Sequence, residues 1–526
     1  MSCFQVLRHA CLVSFFAVLF CSAVIAQDKE WRPISPQELS VTAPTVEPNA
    51  DAEALFWEVR IDDSSDEDLS LKHYVRVKIF TEKGREQYSK FDIPYRKGTK
   101  IKDLQARVIK ADGTTVEIRK EDIFEREIVK ASGVKIKAKS FAVPNIEPGV
   151  IIEYRYKETI NDAGAKGMRL QFQRDIPVQT LSYYYKPYNS REPKYQSYNF
   201  KDGNFVKDKN GFYLATRTNV PAFKDEPRMP PEDMVKPWML LTGSRLTITN
   251  ASAYSFSYVV KDPNSPSRYW GAVSAEQTPL IKFINKPSGD IRKLAAEITA
   301  GAATDDEKLR KLYTYCQSQI RNTTMDPSIT DDQRAKLPQI KSFSDVIKNK
   351  AASAQWVDML FGAFASSVGF EARVAFTGNR NEMFFVPEMT NEDLVHPAAI
   401  ALKIGDDYKF FNPGMELLPY GMLTWFEEDA WGLLVGSDNF MWHKTPFTDK
   451  GDSVEKRTGK FKLLDDGTLE GDVSIEYTGQ LGVSRKLDGL DDSANKREQD
   501  IKDGLARQIS TAEVSNISIE NISDPT

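Results

Sequence analysis

The sequence predicts a multi-domain protein: an N-terminal all-β sandwich, a central α+β domain and a C-terminal β domain that reads as incomplete. Three observations carry this. Short alternating strands separated by turn signals fill residues 51–260. Helical periodicity takes over near residue 285 and yields to strands before residue 435. Strand patterning then returns over 450–526.

The chain opens with an expected signal peptide over residues 1–26. Arg8 gives a thin positive start, Ala10 to Phe20 is apolar, and Ala23-Val24-Ile25-Ala26 offers small residues for cleavage before Gln27. The apolar run falls short of the roughly 20 residues that span a bilayer. An uncleaved anchor is the alternative. A lipoprotein at Cys21 is disfavoured by the bulky Phe20 before it. The expectation is therefore an exported chain, periplasmic or in the cell envelope, with no integral span after cleavage.

Cleavage of 26 residues from 526 leaves 500, too many for one core. Three of the four cysteines (Cys3, Cys11 and Cys21) leave with the leader, and only Cys316 remains. No internal disulfide and no cysteine-based metal site can then form. The formal charge is −5, and loss of Arg8 makes it −6, which argues against a nucleic-acid partner. No cofactor is expected.

Residues 27–50 lack periodicity and read as a linker or loosely held arm. In the sandwich, Val75, Val77 and Ile79 alternate with Arg76 and Lys78, so one face is apolar and the other charged. Ile152 to Lys157 alternates again. Asp112-Gly113, Asp202-Gly203 and Asn210-Gly211 mark hairpins, and Glu82-Lys83-Gly84 marks a turn. The acidic run Asp62 to Asp68 lacks the glycine and terminal glutamate of a calcium loop and reads as a solvated turn.

In the central region Ser288–Ala300 and Thr304–Asn322 read as helices, the second opened by a Thr304/Glu307 capping box. Its apolar stripe is Leu309, Leu312, Cys316 and Ile320. A third helix spans Ala354–Val368. Strands follow at Phe370–Phe376, His396–Ile404 and Tyr408–Asn412. Beyond residue 450, Phe461–Leu464 and Leu469–Tyr477 form a hairpin around Asp465-Asp466-Gly467.

These segments carry a resemblance. Phe80-Thr81-Glu82-Lys83-Gly84, Ala111-Asp112-Gly113-Thr114 and Pro148-Gly149-Val150-Ile151-Ile152-Glu153-Tyr154 resemble the bacterial domain of unknown function 3857. That domain commonly precedes a transglutaminase-like domain, and residues 285–435 look like this second, papain-like module. The resemblance implies a Cys at the start of a core helix, then a His and an Asp or Asn on neighbouring strands. A helix N-terminus stabilises a thiolate. The His serves as base and then acid, and the third residue orients it.

Gly369-Phe370-Glu371-Ala372 resembles the segment that closes the nucleophile helix in that family. Counting back about four turns places the nucleophile at Ala354, between Ser353 and Gln355. His396 matches the family His, and Asn412, before Pro413, matches the position usually held by Asp. Ala354 has no nucleophilic atom, and loss of a triad nucleophile costs on the order of a million-fold in turnover.

The expectation is thus a degenerate domain, a pseudoenzyme, with vestigial triad positions Ala354, His396 and Asn412. Ser353, Gln355, Trp356, His396 and Asn412 would line a cleft for a peptide, protein or glycan of the envelope. The alternative is an active acyltransferase or peptidase using Ser353 or Cys316 with His396. Ser353 reads otherwise as a helix cap, and Cys316 as a buried core residue. A third reading keeps only the fold, with His396 bonded to Asn412.

Overall fold

A computed structural model describes residues 31–525, apart from 66, 132–133, 201–202, 243–260, 262–264, 325, 327 and 491. The expected leader, Asp66 and Asp202 lie outside the described residues.

The N-terminal half is built on an eight-stranded sheet. Its strands are β1 (Ala52–Asp62), β2 (Asp68–Ile79), β3 (Thr99–Ile109), β4 (Thr115–Glu117), β5 (Ile151–Asn161), β6 (Val178–Lys186), β7 (Val206–Lys207) and β8 (Tyr213–Val220). Their order is β7-β8-β6-β1-β2-β5-β3-β4. Neighbours run antiparallel except β1 and β6, which pair in parallel. Two three-stranded sheets cover one face. In the first, Phe91 stacks on Phe141 and tilts against Tyr154 of β5. In the second, Leu170, Met239 and Leu241 join the core beneath Tyr183 of β6. The N-terminal region is thus β-rich, as expected. Glu82-Lys83-Gly84, expected as a turn, instead opens a short helix, Glu82–Gln87.

The opposite face of the large sheet departs from expectation. Val75, Val77 and Ile79 are buried, but so are Arg76 and Lys78, at 2% and 0% exposure. Residues 31–50 cover them. Arg76 donates to the Arg32 carbonyl (2.9 Å), to Glu38 (2.6 Å) and to Glu153 (2.7 Å). Lys78 Nζ donates to the Leu39 carbonyl at 3.0 Å. The buried Glu53 accepts from the Thr45 and Val46 amides at 2.9 and 2.7 Å. The described part of the arm is therefore clamped, not loose. Charges on the outer face of a strand need partners once covered, and this segment supplies them.

The central domain begins with α1 (Pro266–Asn285), one helix earlier than the sequence indicated. Pro279 lies within α1 and hides it from a periodicity search. Next come α2 (Gly289–Thr299), α3 (Asp305–Gln319), α4 (Phe343–Asn349) and α5 (Ala354–Ser367). The expected Thr304 cap is present, accepting from the Glu307 amide at 3.1 Å. An antiparallel sheet follows: β9 (Ala372–Thr377), β10 (His396–Ile404), β11 (Asp407–Phe411), β12 (Trp431–Val435) and β13 (Phe440–Lys444), ordered β11-β10-β9-β12-β13. Its last strand lies beyond residue 435. Helix α5 is apolar nearly all round and sits in the middle of the core, with eight buried residues including Leu360, Phe361 and Phe364.

The two halves meet along residues 379–395, the segment between β9 and β10. Trp238, Leu240 and Met383 form a shared apolar cluster. Gln196 Nε2 donates to the Thr390 carbonyl at 3.2 Å, and Arg169 pairs with Glu382 at 3.2 Å. The chain leading into His396 is thus held from the N-terminal side.

The C-terminal region opens with a hairpin, β14 (Glu455–Leu463) and β15 (Leu469–Tyr477), as expected. Two helices, α6 (Gly479–Asp488) and α7 (Ala494–Gln508), then replace the strands predicted there. Ser493 caps α7 by accepting from the Lys496 amide at 3.2 Å, and the following text is rich in helix formers. No described helix is long and apolar enough to cross a membrane.

Candidate functional site

Helix α5 starts where the sequence placed it. Ser353 holds the N-cap position with extended backbone (φ −68°, ψ 157°), but its hydroxyl makes no cap bond. The Ala354 amide donates instead to Thr324 Oγ1 at 3.1 Å. At 354 the side chain is a methyl group, which can neither attack nor accept a proton. Gln355 is exposed. Trp356 packs edge-on against Phe343 and Phe283, so its ring belongs to an aromatic wall.

Strand β11 ends at Phe411 and the chain turns back towards α5. Asn412 is buried at 6% exposure. Its Nδ2 donates to the Ala398 carbonyl at 2.8 Å, and its Oδ1 accepts from the Met415 amide at 3.0 Å. Both ends of the amide are thus spent on backbone, and Asn412 does not hold His396. The turn reaches the helix through Gly414. Its amide donates to Asp358 Oδ1 at 2.7 Å, and its carbonyl accepts from Asn322 Nδ2 at 2.6 Å. A Cβ at 414 would lie 2.4 Å from the Ala354 carbonyl oxygen. Only glycine permits this approach.

His396 opens β10, half exposed, with Nε2 3.5 Å from Glu427 Oε1. That separation suits an ion pair when the ring is protonated and is long for a hydrogen bond. Glu427 is buried at 4% exposure. Its other oxygen accepts from Thr424 Oγ1 at 2.6 Å. Thr377, the β9 partner of His396, is fully buried, and its hydroxyl has no hydrogen-bond partner.

Burial pushes the Asp358 carboxyl well above the ordinary carboxylate value. The Gly414 amide pulls the other way, and the Glu427 charge adds to the rise. Cys316 is 0% exposed in α3. Burial, with the Asp358 charge behind it, pushes its thiol far up, so it stays protonated.

The structure therefore brings Ala354, Asp358 and the Asn412–Gly414 turn together, and pairs His396 with Glu427. Sequence reasoning missed Asp358 and Glu427. The first had a signal: it is the one acidic residue in Ala354–Ser367, four residues after Ala354. Glu427 lies in a loop with no periodicity to flag it. No group of three or more His, Cys, Asp or Glu side chains among the described residues is placed to hold a metal.

The family described as a domain of unknown function with solved structure, DUF3857, matches residues 65–224. None of the curated proteins matches the chain by sequence. Among solved structures, the chain is similar to a candidate protease from Parabacteroides distasonis, with 12% identity, 75% of this chain and 72% of that chain covered, and a TM-score of 0.48. It is also similar to a candidate cysteine protease from Cytophaga hutchinsonii, with 11% identity, 67% and 78% coverage, and a TM-score of 0.18. At those scores neither likeness carries the functional reading.

Proposed function

We propose that this chain is an exported cell-envelope protein whose central domain is transglutaminase-like, lacks catalysis, and serves as a binding or scaffolding module. The supporting observation is the methyl group of Ala354 at the start of α5, where such a site needs a thiolate. Cys316 is enclosed in the core and offers no substitute. Half-exposed His396, with the buried Glu427 behind it, remains as a polar feature a peptide, protein or glycan could engage.

The test is covalent labelling. Wild type is treated with thiol- and hydroxyl-directed acyl probes, with Ala354→Cys as the positive comparison. The expected result is an unlabelled wild type and a labelled Ala354→Cys variant. Adduct formation on the wild-type protein at residues 353–358 would overturn the proposal. Export is checked by sequencing the N-terminus of the envelope fraction, expected to begin at Gln27.

A second reading has one observation in its favour. The Ser353 hydroxyl is not spent on capping the helix, so an acyl transfer through Ser353 with His396 as base is the active alternative. Labelling of wild type that disappears in Ser353→Ala would establish it.

A further inference from the structure

Next to His396 the central sheet opens into a cavity of about 240 Å³. Met383, Phe384, Phe385 and Val386 form one wall, and Ala430 and Trp431 the other. Gly378 sits at its base, directly after Thr377, the cross-strand partner of His396. An extended chain advances about 3.3 Å per residue. A strand-like ligand anchored in this cavity would thus pass His396 within roughly two or three residues.

Two features define what the cavity would take. Its walls are apolar, with Phe384 and Val386 exposed at 46% and 37%, and Trp425 and Phe447, at 40% and 64% exposure, lie against the lining residue Arg380. The volume falls below the roughly 300 Å³ lower limit of drug-sized sites, so it suits one bulky side chain and excludes a long acyl chain. Two cations also stand at the rim. Lys444 is neutralised by Asp429 at 2.8 Å. Arg380 has no carboxylate partner among the described residues. Its Nη2 donates to the Trp425 carbonyl at 2.7 Å, and its guanidinium lies 5.7 Å from the Phe447 ring centroid. Its buried Nε meets no acceptor. A guanidinium beside apolar walls and without an anion is complementary to a carboxylate carried on an apolar body.

We propose that this cavity binds the C-terminal residue of an extended polypeptide. The bulky apolar side chain fills the cavity, and the α-carboxylate sits on the Arg380 guanidinium. The preceding residues run towards His396 and Glu427. This names the ligand class of the binding module and rests on that reading of the central domain.

The test uses the full chain and isothermal titration with three peptides: acetyl-Ala-Ala-Ala-Phe with a free carboxylate, the same peptide as its C-terminal amide, and acetyl-Ala-Ala-Ala-Ala with a free carboxylate. The free Phe acid is expected to bind at least tenfold more tightly than either of the others. Arg380→Met is expected to erase the acid-over-amide preference while leaving the melting transition in place, and Arg380→Lys to restore part of it. Phe384→Ala, exposed and outside the core, is expected to weaken all binding. Equal affinity for acid and amide, absence of binding up to millimolar peptide, or an unchanged preference in Arg380→Met would overturn the proposal. Binding of decanoate in place of peptides would overturn it too. Covalent labelling of wild type would sink the non-catalytic reading without touching the acid-over-amide preference, so the two failures are separable.

Discussion

Replacing Gly414 with alanine would put a methyl carbon 2.4 Å from the Ala354 carbonyl oxygen, 2.9 Å from its carbonyl carbon and 2.7 Å from Asp358 Oδ2. The carboxylate can rotate away, but a helix backbone cannot. Restoring ordinary contact at 3.4 Å demands that turn and helix separate by about 1 Å. Such a shift costs about 1–3 kcal/mol in overpacking strain. It also stretches the bonds from Gly414 to Asp358 and from Asn322 to Gly414, each worth about 1 kcal/mol. The expected loss is about 2–4 kcal/mol, or roughly 4–15 °C in the melting transition of the central domain. Tryptophan fluorescence in a denaturant titration, with calorimetry alongside, measures it. A Gly414→Ala protein as stable as wild type would refute the close packing of this turn on α5.

Other outcomes follow from the same geometry. Gly271→Ala, inside α1, places its new Cβ 3.5 Å from the Phe440 ring, an ordinary contact, and should gain about 0.5–1 kcal/mol by calorimetry. Arg76→Met leaves Glu38, Glu153 and the arm carbonyls short of a partner and should cost the N-terminal domain about 3–5 kcal/mol in urea unfolding; a loss below about 1 kcal/mol would remove the buried charge layer as a stability element. The Asp358 carboxyl is raised on folding, so the native state holds its proton more tightly than the unfolded chain. Wild-type stability should then fall relative to Asp358→Asn as pH rises from about 4 towards the raised native value, and level off above it. A stability difference that stays constant with pH would contradict that shift.

What the sequence disclosed was what periodicity and capping disclose. The bounds of His396–Ile404 and the start of α5 at Ala354 were readable because one is a short apolar run that ends before Gly405 and the other an apolar run behind a serine. Helix α1 was hidden by Pro279. The burial of Arg76 and Lys78 was unreadable because a charged strand face usually meets water, and only tertiary covering by residues 31–50 reverses that. At the site, spacing located Ala354, His396 and Asn412, but not who bonds to whom. Asn412 turned to the Ala398 and Met415 backbones, and His396 to Glu427, thirty-one residues along the chain, in place of Asn412, sixteen residues along. Loop carboxylates such as Glu427 carry no periodic signature, and their partners are fixed only when the loop closes.

The parallel pairing of β1 with β6 joins Ala54 to Val178 and Asp62 to Lys186. Every other neighbour in that sheet is antiparallel, yet this one seam ties the first strand to one more than a hundred residues later. Closing so long a loop costs entropy before any contact repays it, and such topologies form slowly. A chain emerging N-terminus first, from a ribosome or through a membrane channel, cannot seat β1 between its two neighbours until Lys186 has followed. The seam therefore makes the eight-stranded sheet complete only after residues up to Lys186 have followed, however early β1 and β2 pair with each other.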